Sequence, residues 1–247
     1  MTELDQLSKL IDASENIVFF TGAGISTESG IPDFRSPGGL WEKNQPIEFS
    51  EFVRSERARR EAWRRKFNMQ TVMKDAKPND GHHAIASLYQ AGKVNAVITQ
   101  NIDGLHQLAG VPEDDVIEIH GNGTYAKCLS CAKKMSLEAV RKIFAKDETL
   151  PTCSQCGGIV KTATISFGQA MPQEEMQRSE MEAIESDLFI VAGSSLVVYP
   201  AAGIPVIAAQ HGAKLVIINR EPTPLDNYAT LTLNSEIGET LRTVTKV

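Results

Sequence analysis

The stretch Thr21-Gly-Ala-Gly-Ile-Ser-Thr-Glu-Ser-Gly-Ile-Pro-Asp-Phe-Arg35 follows directly on the apolar run Ile17–Phe20, which reads as a buried strand. Glycines just after a strand let backbone amides close on a nucleotide phosphate. The dinucleotide fingerprint G-x-G-x-x-G needs a glycine at its sixth position, and counting from Gly22 that position is Thr27. A dehydrogenase of this type would also place an acid at the end of its second strand, but the next strand pattern begins far downstream. The extension into Pro32-Asp-Phe-Arg35 has no counterpart in that fingerprint either. The loop binds phosphate by a different design.

Around it, apolar runs rich in Val, Ile and Phe mark further strands at Val94–Thr99, Val116–Ile119, Leu188–Ala192 and Leu215–Asn219, with a weaker one at Thr230–Leu233. Helical patterns lie between many of them, at Glu3–Ala13, Glu56–Lys74, Gly81–Ala91, Gln173–Ile184 and Ala201–Gln210. This alternation predicts an α/β, Rossmann-like doubly wound parallel sheet. Each strand runs into a polar or glycine-rich tip: Thr21-Gly-Ala-Gly24, Gln100-Asn-Ile-Asp103, His120-Gly121, Gly193-Ser-Ser195 and Asn219-Arg-Glu221. Parallel strands bring their carboxyl ends to one edge, where doubly wound folds bind ligands. Tips from distant sequence therefore converge on one crevice.

The rhythm stops between Gly121 and about Thr164, where all four cysteines lie in two pairs, Cys128-Leu-Ser-Cys131 and Cys153-Ser-Gln-Cys156. Doubled C-x-x-C knuckles predict one tetrahedral Zn2+, closed to water and so structural; two disulfides or a redox pair are the alternatives. The chain accordingly divides into a Rossmann-like domain of residues 1–121 and 165–247 and a small inserted zinc-binding module, 122–164, with a helical segment over about 36–80.

The 247 residues carry a net charge of −6, which argues against nucleic acid or an anionic membrane as partner. The chain holds no apolar run of the ~20 residues that a membrane span requires, and its acidic amphipathic start reads as a helix, not a signal peptide. A cytoplasmic enzyme is the expectation. Among the five histidines, His120 ends a strand at the ligand edge and is the candidate general base. His82 and His83 open a helix and read as surface or capping residues, and His211 suits a helix end. His106 either faces the crevice or packs beneath its loop.

The motifs GAGIS…SGIPDFR at Gly22–Arg35, TQNIDGLH at Thr99–His106, the His120-Gly121 pair, the paired knuckles, Phe167-Gly168, Gly193–Leu196 and Asn219–Glu221 occur in one order. In that order the chain resembles the sirtuins, NAD-dependent protein-lysine deacylases, over nearly its whole length. The resemblance implies that acetyl-lysine proteins or peptides are deacetylated while NAD+ is consumed, releasing nicotinamide and O-acetyl-ADP-ribose. It implies that Gly22, Ala23, Gly24 and Ser26, with Gly193, Ser194 and Ser195, line the phosphate and adenosine sites, bordered by Asn219, Arg220, Glu221 and Ile237. Asp33, Phe34, Arg35 and Trp41 would belong to the cofactor loop. Gln100, Asn101, Ile102 and Asp103 would surround the nicotinamide ribose, with His120 as base. Phe167, Gly168, Gln169 and Val198 would take the peptide as an added strand.

Many relatives carry Glu where this chain has Gln169. Members that remove succinyl groups place Tyr and, three residues on, Arg in the helix after the cofactor loop, where Trp63 and Lys66 stand here. Trp lacks the phenol, and Lys lacks the bidentate fork that grips a carboxylate. A neutral acyl group is the expected substrate, with other acyl chains, including succinyl, or mono-ADP-ribosyl transfer as the alternatives.

Overall fold

The computed structural model describes residues 1–33 and 45–245, apart from the side chains of 70–74. Strands β1 (Ile17–Thr21), β2 (Val94–Thr99) and β3 (Val116–Glu118) precede the cysteines. Next come β4 (Gly121–Cys128), β5 (Lys134–Ser136) and β6 (Val160–Thr164), and then β7 (Leu188–Ala192), β8 (Lys214–Ile218) and β9 (Leu231–Leu233). Six of these form one sheet in the order β3-β2-β1-β7-β8-β9, every neighbouring pair parallel. The order reverses between β1 and β7, which is where a doubly wound sheet opens its crevice. The predicted fold class holds.

Every residue of β1 and β7 is buried because helices cover both faces of the sheet. Side chains alternate across a strand, so Ile17 and Phe19 enter one core while Val18 and Phe20 enter the other. The first core is closed by the helices Glu3–Ala13, Asp80–Gln90 and Ile237–Thr245, through Leu7, Ile85 and Leu241. The second is closed by Gln173–Glu185 and Ile204–Gln210, through Ala183, Ile204 and Ala208. The predicted Ala201–Gln210 helix begins as a 3-10 turn, Ala201–Gly203, because Pro205 suits only the first turn of an α-helix.

Strands β5, β4 and β6 form a separate antiparallel sheet across the cysteine segment. Its apolar face joins the helix Leu137–Phe144 to the helix Glu56–Lys74 in a third core. Trp63 stacks on Phe67 with ring centres 5.6 Å apart, and Phe67 meets Phe144 at 5.7 Å. Outside this core Arg64 makes a two-pronged pair with Glu148 at 2.5 and 2.6 Å. The helix that sequence tied to acyl choice is thus also the strut on which the cysteine segment rests.

Trp63 is only 1% exposed, and deleting a buried indole leaves a cavity that costs about 3–5 kcal/mol. Trp63→Ala should lose that much stability in urea unfolding, and a loss under about 1 kcal/mol would show that the third core does not depend on it.

Candidate active site

Glycine between β1 and the helical turn Ala23–Ser26 is demanded by a neighbouring loop. A Cβ on Gly22 would lie 2.6 Å from the Gly193 carbonyl oxygen, and one on Gly193 would lie 2.4 Å from the Ile25 nitrogen. The tips of β1 and β7 therefore touch backbone to backbone at the point where the sheet reverses. Gly24 N–H donates to the Gly193 carbonyl at 2.8 Å, which fastens the contact. Thr27, where the fingerprint would want glycine, donates its hydroxyl to the Gly24 carbonyl at 2.9 Å. It closes the turn rather than interrupting it.

The other tips are tied into the same floor. Asn101 donates its amide to the Gly22 carbonyl at 2.9 Å and to Ser26 Oγ at 3.1 Å, and Ser26 donates to Asp103 Oδ2 at 2.8 Å. Burial holds the Asp103 carboxyl above its ordinary value, an effect that hydrogen bonds from Leu105 N–H and the Ser26 hydroxyl offset only in part. Gln100 donates its side-chain amide to Ser194 Oγ at 2.7 Å, joining β2 to β7. The Gln100 backbone carbonyl oxygen lies 3.1 Å from His120 Nδ1. A carbonyl can only accept, so Nδ1 carries the proton and Nε2 is the basic nitrogen. Burial pulls the His120 pKa below the ordinary 6.5, against a smaller upward effect of the Gln100 carbonyl. The imidazole is consequently neutral at pH 7.

Further along the edge, Asn219 donates to the Glu221 carbonyl at 2.7 Å, and Arg220 holds Glu236 through two bonds of 2.7 and 2.8 Å. Ile237 is buried at the start of its helix, whose Gly238 N–H is capped by Glu28 at 2.9 Å. Asp33 is partly buried, while Phe34, Arg35 and Trp41 lie outside the described residues. Phe167 is half exposed, and its carbonyl accepts from Phe49 N–H at 2.8 Å. Gln169 spends its side chain on its own turn, accepting from Ser166 N–H at 3.2 Å. Val198 is partly buried, in the loop leading to Ala201–Gly203.

A cavity of about 190 Å³ is lined by Phe52, Trp63, Lys66, Ile102, Lys161 and Thr164, among others. Trp63 and Lys66 therefore do reach the neighbourhood of Ile102, although Trp63 is mainly a core residue. Lys161 escaped sequence reasoning because β6 lies far from the Glu56–Lys74 helix along the chain. Burial pulls both ammonium groups down to about 8. His82 needs a correction: it is wholly buried and takes part in a capping box with Asn79, so only the capping half of its reading holds. His83 is exposed, and His106 is buried beneath the loop.

The cysteine sulfurs all lie within 4.8 Å of one another, with Cys128–Cys156 and Cys131–Cys153 each at 3.5 Å. Zinc–sulfur bonds of about 2.3 Å in a tetrahedron put sulfurs about 3.8 Å apart, so the four residues fit one Zn2+. No disulfide joins them.

A parallel sheet whose strand tips meet at its reversal point, a neutral histidine beside them and four cysteines set for one structural metal are the marks of a nucleotide-using α/β enzyme. A Sir2 family model matches residues 22–200, and the chain belongs to the Sir2 family, the sirtuins. It is 58% identical over 238 residues to the NAD-dependent protein deacetylase of Rhodopseudomonas palustris, covering 96% of this chain and 94% of that one. It is 56% identical over 238 residues to NAD-dependent protein deacetylase 1 of Bradyrhizobium diazoefficiens, covering 96% and 93%. A solved structure of Sir2 with a p53 peptide and NAD+ superimposes with a TM-score of 0.88 at 39% identity, covering 100% of this chain and 98% of that one.

Freshly purified protein should contain one zinc per chain by elemental analysis. Stripping it with a strong chelator should raise hydrogen exchange across Gly121–Thr164 while β1 and β7 stay protected. A metal content near zero, or unchanged exchange after complete removal, would refute the structural role.

Proposed function

We propose that this chain is an NAD-dependent protein-lysine deacetylase, and the observation that carries the reading is His120. Its neutral ring stands at the end of β3, proton-bearing nitrogen fixed on Gln100, basic nitrogen free to accept a proton. Bound NAD+ would supply an ADP-ribosyl group that takes the acetyl group as nicotinamide leaves, one water completing the release of the free lysine amine. Its phosphates would be held by Gly22, Ala23, Gly24, Ser194 and Ser195, its adenosine bordered by Asn219, Arg220, Glu221 and Ile237. Gln100, Asn101, Ile102 and Asp103 would enclose the nicotinamide end, where Asn101 and Asp103 are already cross-linked through Ser26. β2 begins only at Val94, far beyond the roughly 20 residues after the glycines at which a hydride-transferring fingerprint places its ribose-binding acid.

His120 Nε2 would take a proton from a substrate hydroxyl, a step suited to a base that is unprotonated at working pH. The acetyl-lysine peptide would lie along Phe167-Gly168-Gln169 and Val198, between the 122–164 module and the sheet domain of 1–121 and 165–247. No described helix is long and apolar enough to cross a membrane, and the net charge of −6 disfavours nucleic acid; a cytoplasmic location is consistent with both. Mass spectrometry of an acetyl-lysine peptide tests the reading. Deacetylation should require NAD+ and fall at least about a hundredfold in His120→Ala. NAD-independent loss of acetyl, or an undiminished variant, would defeat it.

Acyl choice has two readings. The absence of the phenol–guanidinium pair favours acetyl and other neutral groups. The pairing of Lys66 with Lys161 at one cavity favours an acidic chain, since a partly buried ammonium gains from a carboxylate. Lys161 is already engaged by the Thr164 carbonyl at 2.5 Å, which leaves Lys66 as the freer cation. Acetyl peptide should be cleaved faster than succinyl peptide. If a lysine does bind the succinyl carboxylate, the succinyl-to-acetyl ratio of kcat/KM should fall as pH rises through about 8, because Lys66 then loses its charge. A pH-independent ratio would exclude that contact.

A further inference from the structure

His106 lies outside the crevice, yet a continuous set of hydrogen bonds joins it to the site. Its Nε2 sits 2.9 Å from Thr21 Oγ1, and the Thr21 hydroxyl donates to Thr99 Oγ1 at 2.8 Å. Because the Thr21 proton is spent on Thr99, the Thr21 oxygen must accept, and His106 is the Nε2–H tautomer. Thr99 Oγ1 also accepts from the backbone N–H of Asn101 at 3.0 Å. Thr21, Thr99, His106 and Asn101 are 0, 3, 1 and 8% exposed, so no solvent competes for these bonds.

The ring is also held from behind. His82 packs on it with centroids 4.9 Å apart, and His82 is anchored by Asn79, which donates to the Ile25 carbonyl and to Ser29 Oγ in the loop after β1. His106 Nδ1 and His82 Nε2 have no partner among the described residues. Burial pulls His106 down to about 4, so it stays neutral and neither donates nor removes charge near the crevice. A buried imidazole that could have been an apolar side chain is kept where its one donor fixes a threonine hydroxyl.

We infer that His106 is a positioning residue for the nicotinamide end of the site, acting through Thr21 and Thr99 to fix the backbone of Asn101. The Thr21 hydroxyl alone could turn toward other acceptors. With its oxygen held by His106, its proton is directed at Thr99, and Thr99 Oγ1 is directed at Asn101 N–H. Asn101 can then span the Gly22 carbonyl and Ser26 with its amide. The inference rests on the NAD-dependent reading above and adds a residue that never touches substrate.

The test is a double-mutant cycle with Thr21→Val, nearly isosteric, and His106→Ala, read by deacetylation, nicotinamide exchange and thermal melting. Either change should lower kcat and nicotinamide exchange about tenfold while KM for the acetyl peptide stays within twofold. The double variant should be no worse than about twofold below the poorer single one, since both cut the same chain. A purely packing role would lower the melting temperature without that split. If His106→Ala does not fold, Thr21→Val decides alone. Thr21→Val with kcat within twofold of wild type, or losses that multiply in the double variant, overturns the inference. A wild-type protein that fails to deacetylate sinks the functional reading itself, whereas an active wild type with an unaffected Thr21→Val sinks only this one.

Discussion

The backbone contact between Gly22 and Gly193 is the constraint on which the site depends. β1 and β7 are hydrogen-bonded neighbours along their whole length, yet their exits lead into different loops that must cross at the sheet's reversal point. With a Cβ on either glycine those loops would collide with backbone, which cannot rotate away as a side chain can. Only because they pack this closely can Gln100 reach Ser194 and Asn101 reach the Gly22 carbonyl.

From that contact the functional groups follow as a hydrogen-bonded surface rather than as independent side chains. His120 is oriented by a carbonyl of β2's tip, whose side chain is in turn held by β7's tip. The tips of four strands are thus coupled before any ligand arrives, which is what preorganised binding requires. The second coupling is mechanical. Trp63 and Phe67 share one apolar core with Cys128 and Cys153, so the cysteine cluster and the Glu56–Lys74 helix beside the cavity are packed against each other.

Much of this was legible in the chain. Buried parallel strands announce themselves as Val- and Ile-rich runs because both faces are covered, and the predicted strands fall within a residue or two of the observed ones. The doubled knuckles of Cys128–Cys156 were legible because ligand spacing is local. His82 was half misread, since a helix-opening histidine next to Asp80-Gly81 looks like a surface cap until tertiary packing lays it against His106. The strands of the cysteine segment were not anticipated individually, as short antiparallel strands such as Lys134–Ser136 carry almost no periodic signal.

Sequence by itself determined the fold class, the shared edge of the strand tips, the four cysteines that meet and the place of His120 at that edge, because each depends on residue type and short-range spacing. Tertiary structure alone decided why Gly22 must be glycine, which nitrogen of His120 is basic, that Lys161 joins Lys66, and that His106 connects to Asn101. Those facts are distances between residues far apart in the chain. No local pattern encodes them, because they arise only when the sheet order is set and the loops between its strands are pressed together.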